Sequence, residues 1–512
     1  MKRRSILTGQ LLPRYPISDP TNVKLSFREK AGYSLGYAGA NFVFQMMIIF
    51  QTAFYIDVLG IGATAVGWML LLVRFSDAIT DPIMGAIADR TDTKWGKFRP
   101  WLIWSAIPFA LLFSAAYTVP SGLSDSAKLW YAVGTYTVLM MAYTMNNAPY
   151  LALNGVMTSN GSERTSVSQY RFFAAMVASS IVQGLTLPLV KKLGEGDDAK
   201  GWSMTIGIFA VIMVGLFVVT FFSAKERVKP PVDQKHDLKQ DFRDIMKNPP
   251  WIAMFVMTTF VFITLALRGG STYYHFTYFV DAESLTAFVD KMGFFANPEA
   301  LADPSLGFRI LDTFGLIVKP GDSPTAVGFS MFNMAGGLVN ILCVLAAKPL
   351  ADRFGKKLVF TVGLGGAEIV QSPFFWLGAE SIGTMFLLTI CTSLLYGPTI
   401  PLLWPMIADC ADFGEWKNNR RSTAFVFAGI VFALKGGLGI GGAFTGWLLA
   451  MYGYTPETAT EPGVLAGYRT MIGLISGGFF GLGAITMIFY PISKQVAIQI
   501  GDELAARRAS AG

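Results

Sequence analysis

The sequence predicts an all-α polytopic membrane protein, with twelve transmembrane helices in two pseudosymmetric six-helix bundles. Three observations predict it. Of the 512 residues, 53% are hydrophobic and 15% charged, against roughly 25% charged in an ordinary soluble protein, which excludes a soluble multidomain enzyme. Apolar windows of about 20 residues or more, the length that spans a bilayer, recur about twelve times. Matching acidic-basic loops then recur in the two halves of the chain. The formal charge of +7 invites a nucleic-acid reading, but a helical membrane protein holds excess Lys and Arg in its cytoplasmic loops. The basicity therefore speaks to orientation, and no nucleic-acid partner is expected.

Residues 1–30 form a polar, basic N-terminal segment, too long for a signal-peptide n-region. The first window, 31–58, runs well past an h-region of about 7 to 15 residues and is read as a retained helix. Windows near 63–88, 101–120, 127–157, 166–190 and 202–223 complete the first bundle, 31–224. A linker follows at 225–249, carrying seven basic residues with Pro230, Pro231 and Pro249; His236 within it is read as solvated. The second bundle, 250–492, holds windows near 250–280, 326–347, 358–378, 383–408, 422–451 and 466–492, and residues 493–512 form a tail. With the N-terminus inside, 29 of the 41 Lys and Arg fall in cytoplasmic segments, 8 outside and 4 within helices. Both termini are thus expected in the cytoplasm. The segment 281–325 then lies outside, and its amphipathic pieces, Leu285 to Phe295 and Phe308 to Val318, suggest a small folded cap, a disordered loop being the alternative.

Cys343, Cys391 and Cys410 lie in or beside apolar stretches without metal-site or disulfide spacing, and read as packing residues. Ala88-Asp89-Arg90 with Gly96-Lys97 closes the second window, and Ala351-Asp352-Arg353-Phe354-Gly355-Lys356-Lys357 follows the eighth. Glu163-Arg164 is echoed by Glu415 and Arg420-Arg421. These loops suggest charge networks that hold helix ends together on the cytoplasmic face; topology-setting alone explains the Lys and Arg but not the matched Asp.

The second window carries Arg74-Phe75-Ser76-Asp77-Ala78-Ile79-Thr80-Asp81-Pro82. Asp77 and Asp81 are four apart, and Arg74 is three before Asp77, so all three share one helical face. An ionised group in the bilayer core is costly unless paired or occupied by an ion. Two carboxylates one turn apart repel, which lets one hold a proton or both bind a monovalent cation such as Na⁺. Thr80 adds an oxygen, and Pro82 frees a carbonyl of the preceding turn. An Arg-Asp pair locking two helices is the structural alternative, although one pair needs only one Asp.

Arg171, Arg268 and Lys435 also sit at membrane depth. They suit the helix carboxylates or a polyhydroxylated or anionic substrate, with snorkelling as the other reading for Arg171 and Lys435. Arg268, before Gly269-Gly270, lies where a helix would bend. The fourth window offers Tyr143, Asn147 and Tyr150, and the first Asn41 and Gln45, amides and hydroxyls that need partners of the kind a sugar supplies. Trp404, between Pro401 and Pro405, suits stacking on a sugar ring or simple packing. Glu368 is read as structural, and His275 as a satisfied interfacial histidine. No Walker motif or hydrolase constellation is present, so coupled transport leads.

Together, Arg74-x-x-Asp77-x-x-x-Asp81-Pro82, Trp95-Gly96-Lys97-Phe98-Arg99-Pro100-Trp101, Asn147-x-Pro149-Tyr150, Tyr170-Arg171-Phe172-Phe173, Arg268-Gly269-Gly270, and Asp412-Phe413-Gly414-Glu415-Trp416 with Lys435-Gly436-Gly437 resemble the glycoside-pentoside-hexuronide:cation symporters. This is the melibiose-permease-like branch of the major facilitator superfamily, and the resemblance spans residues 31 to about 492. It implies alternating access and sugar uptake driven by Na⁺ or H⁺. By the same resemblance, Asp77 and Asp81 are the cation-site carboxylates, with Thr144 and Lys435 beside them, and Arg171 lies near the sugar. Two sugar-binding carboxylates of melibiose permeases are replaced here by Asn41 and Asn147, which implies a pentoside or hexuronide rather than melibiose. Thr80 stands where those permeases carry a cation-site Asn, and Tyr37 where related members carry Asp.

The resulting expectation is secondary active symport of a sugar or glycoside with a cation, in a bacterial inner membrane, by a monomer with no cofactor beyond the coupling ion. A lysolipid or amphiphile carrier on the same scaffold and a non-transporting membrane sensor are the alternatives.

Overall fold

The computed structural model describes residues 23–228, 238–418 and 423–511; His236, Arg420 and Arg421 lie outside them. Helix α1, Phe27–Ile49, starts at a Ser26 cap whose hydroxyl accepts from Glu29 N, and turns by 58° into Gln51–Val58. Then follow α2 (Ala63–Arg90), α3 (Arg99–Ala116), α4 (Asp125–Met157), α5 (Gly161–Gly194) and α6 (Asp198–Ser223). In the second half, α7 (Pro249–Tyr274) begins at Asn248, whose side chain accepts from Trp251 N, with proline in the first helical positions where a missing N–H costs nothing. It is followed by α8 (Thr325–Phe354) and α9 (Lys356–Gln371). Next come α10 (Ile382–Asn418), α11 (Thr423–Met451) and α12 (Pro462–Ile488).

Among the described residues, ten helices are long and apolar enough to cross a membrane, or eleven when the bent first pair counts as one span. The sequence led to an expectation of twelve. The shortfall is α4, which has the length, 33 residues, but whose Thr, Tyr and Asn residues lower its hydropathy. It nevertheless packs inside the first half against α2 and α3.

The packing repeats with a shift of six helices. The pairs α1–α5, α1–α6, α2–α4, α3–α4 and α3–α6 recur as α7–α11, α7–α12, α8–α10, α9–α10 and α9–α12. The halves meet along two seams related by the same shift, α2 with α11 and α5 with α8. Away from the termini these seams are tight. A Cβ on Gly446 would fall 2.5 Å from the Ala63 carbonyl oxygen, and one on Gly184 2.5 Å from Met334 Sδ. Towards the face that carries both described ends of the chain, the α5–α8 seam parts around a cavity of about 810 Å³ lined by Thr165, Gln169, Lys348, Lys356, Trp404 and Lys494. The protein is open on that face and closed on the other.

Among the described residues, three ion pairs on the open face each lie within one half. Lys30 pairs with Glu163 at 2.8 Å and Arg227 with Glu29 at 2.7 Å in the first, Lys356 with Asp409 at 2.5 Å in the second. Glu226 accepts from the backbone N–H groups of Lys97, Phe98 and Arg99, at the start of α3. There the helix dipole favours a carboxylate, and Gly96, at φ +111°, leaves room for it. The segment 281–325 holds three short helices, Ala282–Lys291, Pro298–Ala302 and Leu306–Thr313.

Candidate functional site

Asp81 is the centre of an inter-half contact. Its Oδ1 accepts from Thr144 Oγ1 of α4 at 2.9 Å, and its Oδ2 from the Lys435 ammonium of α11 at 2.5 Å. Pro82 follows in the same helix. The Asp81 and Lys435 side chains are 34% and 16% exposed, so water screens the pair in part. A pocket of about 500 Å³ between α2 and α11 reaches them, lined also by Arg74, Phe75, Val431 and Phe432. Arg74 is 8% exposed and lies against the backbone of α11, where Gly439 leaves space for its Cβ and Cγ. Thr80 is half-buried on the same helix. Asp77 lies on α2 one turn before Asp81, and its side chain is outside the described part of the structure.

A second cavity, about 330 Å³, lies between the halves and is lined from α1, α5, α7, α8 and α10. Asn41, Gln45 and Arg268 face it. Asn41 Nδ2 is spent on the Tyr37 carbonyl at 2.7 Å, which leaves its Oδ1 for a ligand. Arg268 is the one charged residue in the described lining. It reaches Thr389 Oγ1 at 3.3 Å, and its buried Nε has no hydrogen-bond partner. Further polar lining that no motif marks includes Ser179, Ser180 and Gln183 of α5, Thr272 of α7, Asn333 and Asn340 of α8, and Thr389, Thr392, Ser393 and Tyr396 of α10. Its signal was the spacing, since Asn333 and Asn340 are seven apart and the α10 residues recur on one helical face.

Helix α4 stands between the two sites. Tyr143, next to the Asp81-bound Thr144, packs its ring on Phe44 of α1 at 6.4 Å, and Phe44 lines the cavity. Asn147 Oδ1 is buried without a partner. Arg171 stacks its guanidinium on Tyr37 at 4.9 Å and on Phe172 at 5.0 Å. This interior placement differs from snorkelling. Trp404 lies on the open side of the cavity, its ring 6.4 Å from Phe172 and 6.3 Å from Phe427.

Tyr150 does not face the cavity. It is 1% exposed, its hydroxyl donates to the Tyr33 carbonyl while the Tyr33 hydroxyl donates to its own, each at 3.0 Å, and the rings stack at 4.5 Å. The residue clamps α4 to α1. His275 also differs from expectation. It is fully buried among Phe276, Phe279 and Phe374, and neither ring nitrogen has a partner. Glu368 of α9 lies in packing contact with Gly481 of α12.

Comparison with known proteins bears on the family and the fold. The family model described as MFS/sugar transport protein matches residues 32–297 and 323–494. The inner membrane symporter YicJ of Escherichia coli (strain K12) is 33% identical over 430 residues, covering 84% of each chain. The putative glycoside/cation symporter YagG of the same strain is 30% identical and covers 96% of this chain and 97% of its own. The isoprimeverose transporter of Lactiplantibacillus pentosus is 29% identical, over 94% of this chain and 92% of its own. Among solved structures, the nucleoside transporter NupG superposes with a TM-score of 0.55 at 13% identity, over 91% of this chain and all (100%) of its own. The D-xylose-proton symporter gives 0.53 at 14%, over 91% and 97%.

Proposed function

The chain belongs to the MFS/sugar transport protein family and is a multi-pass membrane transporter, not an enzyme, and from that premise we propose that it imports a sugar or glycoside together with a cation. The observation that carries the proposal is the pairing of an amide- and hydroxyl-lined cavity with a carboxylate that bridges the halves beside it. Sugar hydroxyls satisfy amides and hydroxyls that would otherwise be costly to bury. An amphiphile carrier would need an apolar, laterally open cavity instead.

Coupling follows from Asp81. In the present state one of its oxygens is taken by Lys435, so the cation has to compete with an ammonium. A proton on Asp81, or Na⁺ held by Asp81, Thr144 and oxygens nearby, would release Lys435 and with it one tie between α2 and α11. Asp77 and Thr80, on the same helix, are the further candidates for that set. Displacing Lys435 gives up its 2.5 Å contact with Asp81 across the α2–α11 seam, which favours rearrangement of the halves. Through Tyr143 and Phe44 the change reaches the sugar cavity, where Asn41, Gln45 and Arg268 are the residues proposed to hold the substrate, with Asn147 of α4 a further candidate outside the described lining. Arg268 would select a substrate with an anionic group, and Arg171 and Trp404 would flank its route to the open face. No cofactor is needed beyond the coupling ion.

On the Lys and Arg count, the open face is the cytoplasmic one, in a bacterial inner membrane, and the protein works as a monomer in the lipid bilayer. The test is counterflow of labelled sugars, neutral and acidic, in vesicles with and without Na⁺ and at several pH values. Exchange of at least one sugar is expected. Specific binding with no flux of any bound sugar would contradict the proposal and favour a sensor.

A further inference from the structure

The family model leaves residues 298–322 unmatched, and that stretch includes Asp312, Gly315 and Lys319, which lie against the first half of the molecule. The segment is built into the second half. Leu285, Val289 and Val318 form a small core with Val327 of α8 and Ile382 of α10. Ala296 N donates to the Val318 carbonyl at 2.8 Å, and Val318 N to that of Phe294 at 2.9 Å. Asp281 N donates to the Ala379 carbonyl, in the connection before α10, at 3.1 Å. A unit tied at these points moves with α8 and α10.

The same unit is fastened to the first half at the end of α5. The Lys192 ammonium donates to the Asp312 carbonyl and lies 3.4 Å from its carboxylate. Lys319 holds the other carboxylate oxygen at 3.2 Å. Gly315, at φ +70°, sits so close to α5 that a Cβ would fall 2.6 Å from the Pro188 carbonyl oxygen. Only glycine adopts that backbone cheaply and permits that approach. All of this lies on the closed face, beside the α5–α8 seam. We infer that residues 298–322 are a strap that pins α5 of the first half to the second half and biases the carrier towards the state open on its other face.

The bias follows from alternating access, because a unit rigid with one half and bound to the other has to let go before the closed face parts. It requires only that the halves separate, whichever sugar is carried, so the identity of the substrate does not enter the test. The ion pair is partly exposed, at 35% and 31%, so its share is small and graded, a shift of about 1.5- to 5-fold in the two-state ratio.

The test uses the full chain in lipid vesicles without sugar, with Cys343, Cys391 and Cys410 replaced. Spin labels are attached at Ser121→Cys in the α3–α4 connection and Glu457→Cys in the α11–α12 connection, both exposed on the closed face. Lys192→Ala should raise the population of the longer label distance about 1.5- to 5-fold, and Gly315→Val should raise it further. Lys200→Ala is the control, since it breaks an ion pair with Glu195 that lies within the first half, and it should leave the distribution as in the parent. A rise in either strap variant, with the control unmoved, supports the strap. Parent distributions in Lys192→Ala and in every folded strap variant, or an equal rise in the control, overturn it.

Discussion

At the residue scale, coupling turns on Asp81 and Lys435 and substrate recognition on Arg268. Asp81→Asn removes the charge for which Lys435 and the coupling cation compete, so gradient-driven accumulation should fall by at least an order of magnitude, about 1.4 kcal/mol or more of coupling. Uptake in vesicles with an imposed Na⁺ or pH gradient measures it. Arg268→Gln removes the one charge in the described cavity lining. It should lower affinity for an acidic glycoside about tenfold or more while changing a neutral one little, since a charge-assisted bond is lost only for the first. Equal losses for both would remove Arg268 from substrate recognition. These charges were legible in the sequence because ionised groups at membrane depth are rare and need a reason. The Thr and Ser of α10 carried only the weaker signal of spacing, because hydroxyls in helices can satisfy themselves on the carbonyl four residues back, as Thr272 does on Arg268 at 2.6 Å. Tyr150 was misjudged for another reason. Its helix was evident, but the phase of that helix relative to the cavity depends on which neighbours pack against it, and α1 claims this face.

At the scale of elements, the seams and the strap carry the prediction. Gly446 allows α2 and α11 to touch on the closed face. Gly446→Val should force them apart and raise the share of molecules open on that side, read as longer distances between labels placed across it. The strap adds a pH dependence. Burial raises the Asp312 carboxyl, but Lys319 and Lys192 outweigh it and hold the group below its ordinary value. A lowered carboxylate contributes above its usual pKa of about 3.9 and loses that contribution as pH falls through the lowered value. The Lys192–Asp312 tie should therefore be unchanged between about pH 6 and 8 and weaken below about 4. Label distances recorded across that range check it. Apolar windows marked the helices well, since spanning length and low charge are strong signals. The bend after Ile49 and the π-helical turns at Phe54–Val58, His275–Phe279 and Thr470–Ile475 left no such mark, because spanning length and hydropathy are the same in a straight helix and in one with an extra residue in a turn.

At the scale of the whole molecule, two six-helix halves related by a shift of six, closed on one face and open on the other, form a carrier in which one carboxylate ties the halves beside a polar cavity. The repeat was legible in the matched charged loops. The state was not, since both states of a rocking carrier share one sequence and only the geometry of the seams distinguishes them. Linkage gives the most direct test. If the coupling cation and the sugar bind to the same rearranged state, each must raise the affinity for the other by the same factor. Calorimetric titration of the purified protein with the transported sugar, with and without Na⁺ and at two pH values, measures that factor. The account predicts that sugar affinity in the parent rises with Na⁺ or with protonation, and that this dependence vanishes in Asp81→Asn. An undiminished cation dependence in Asp81→Asn would contradict it.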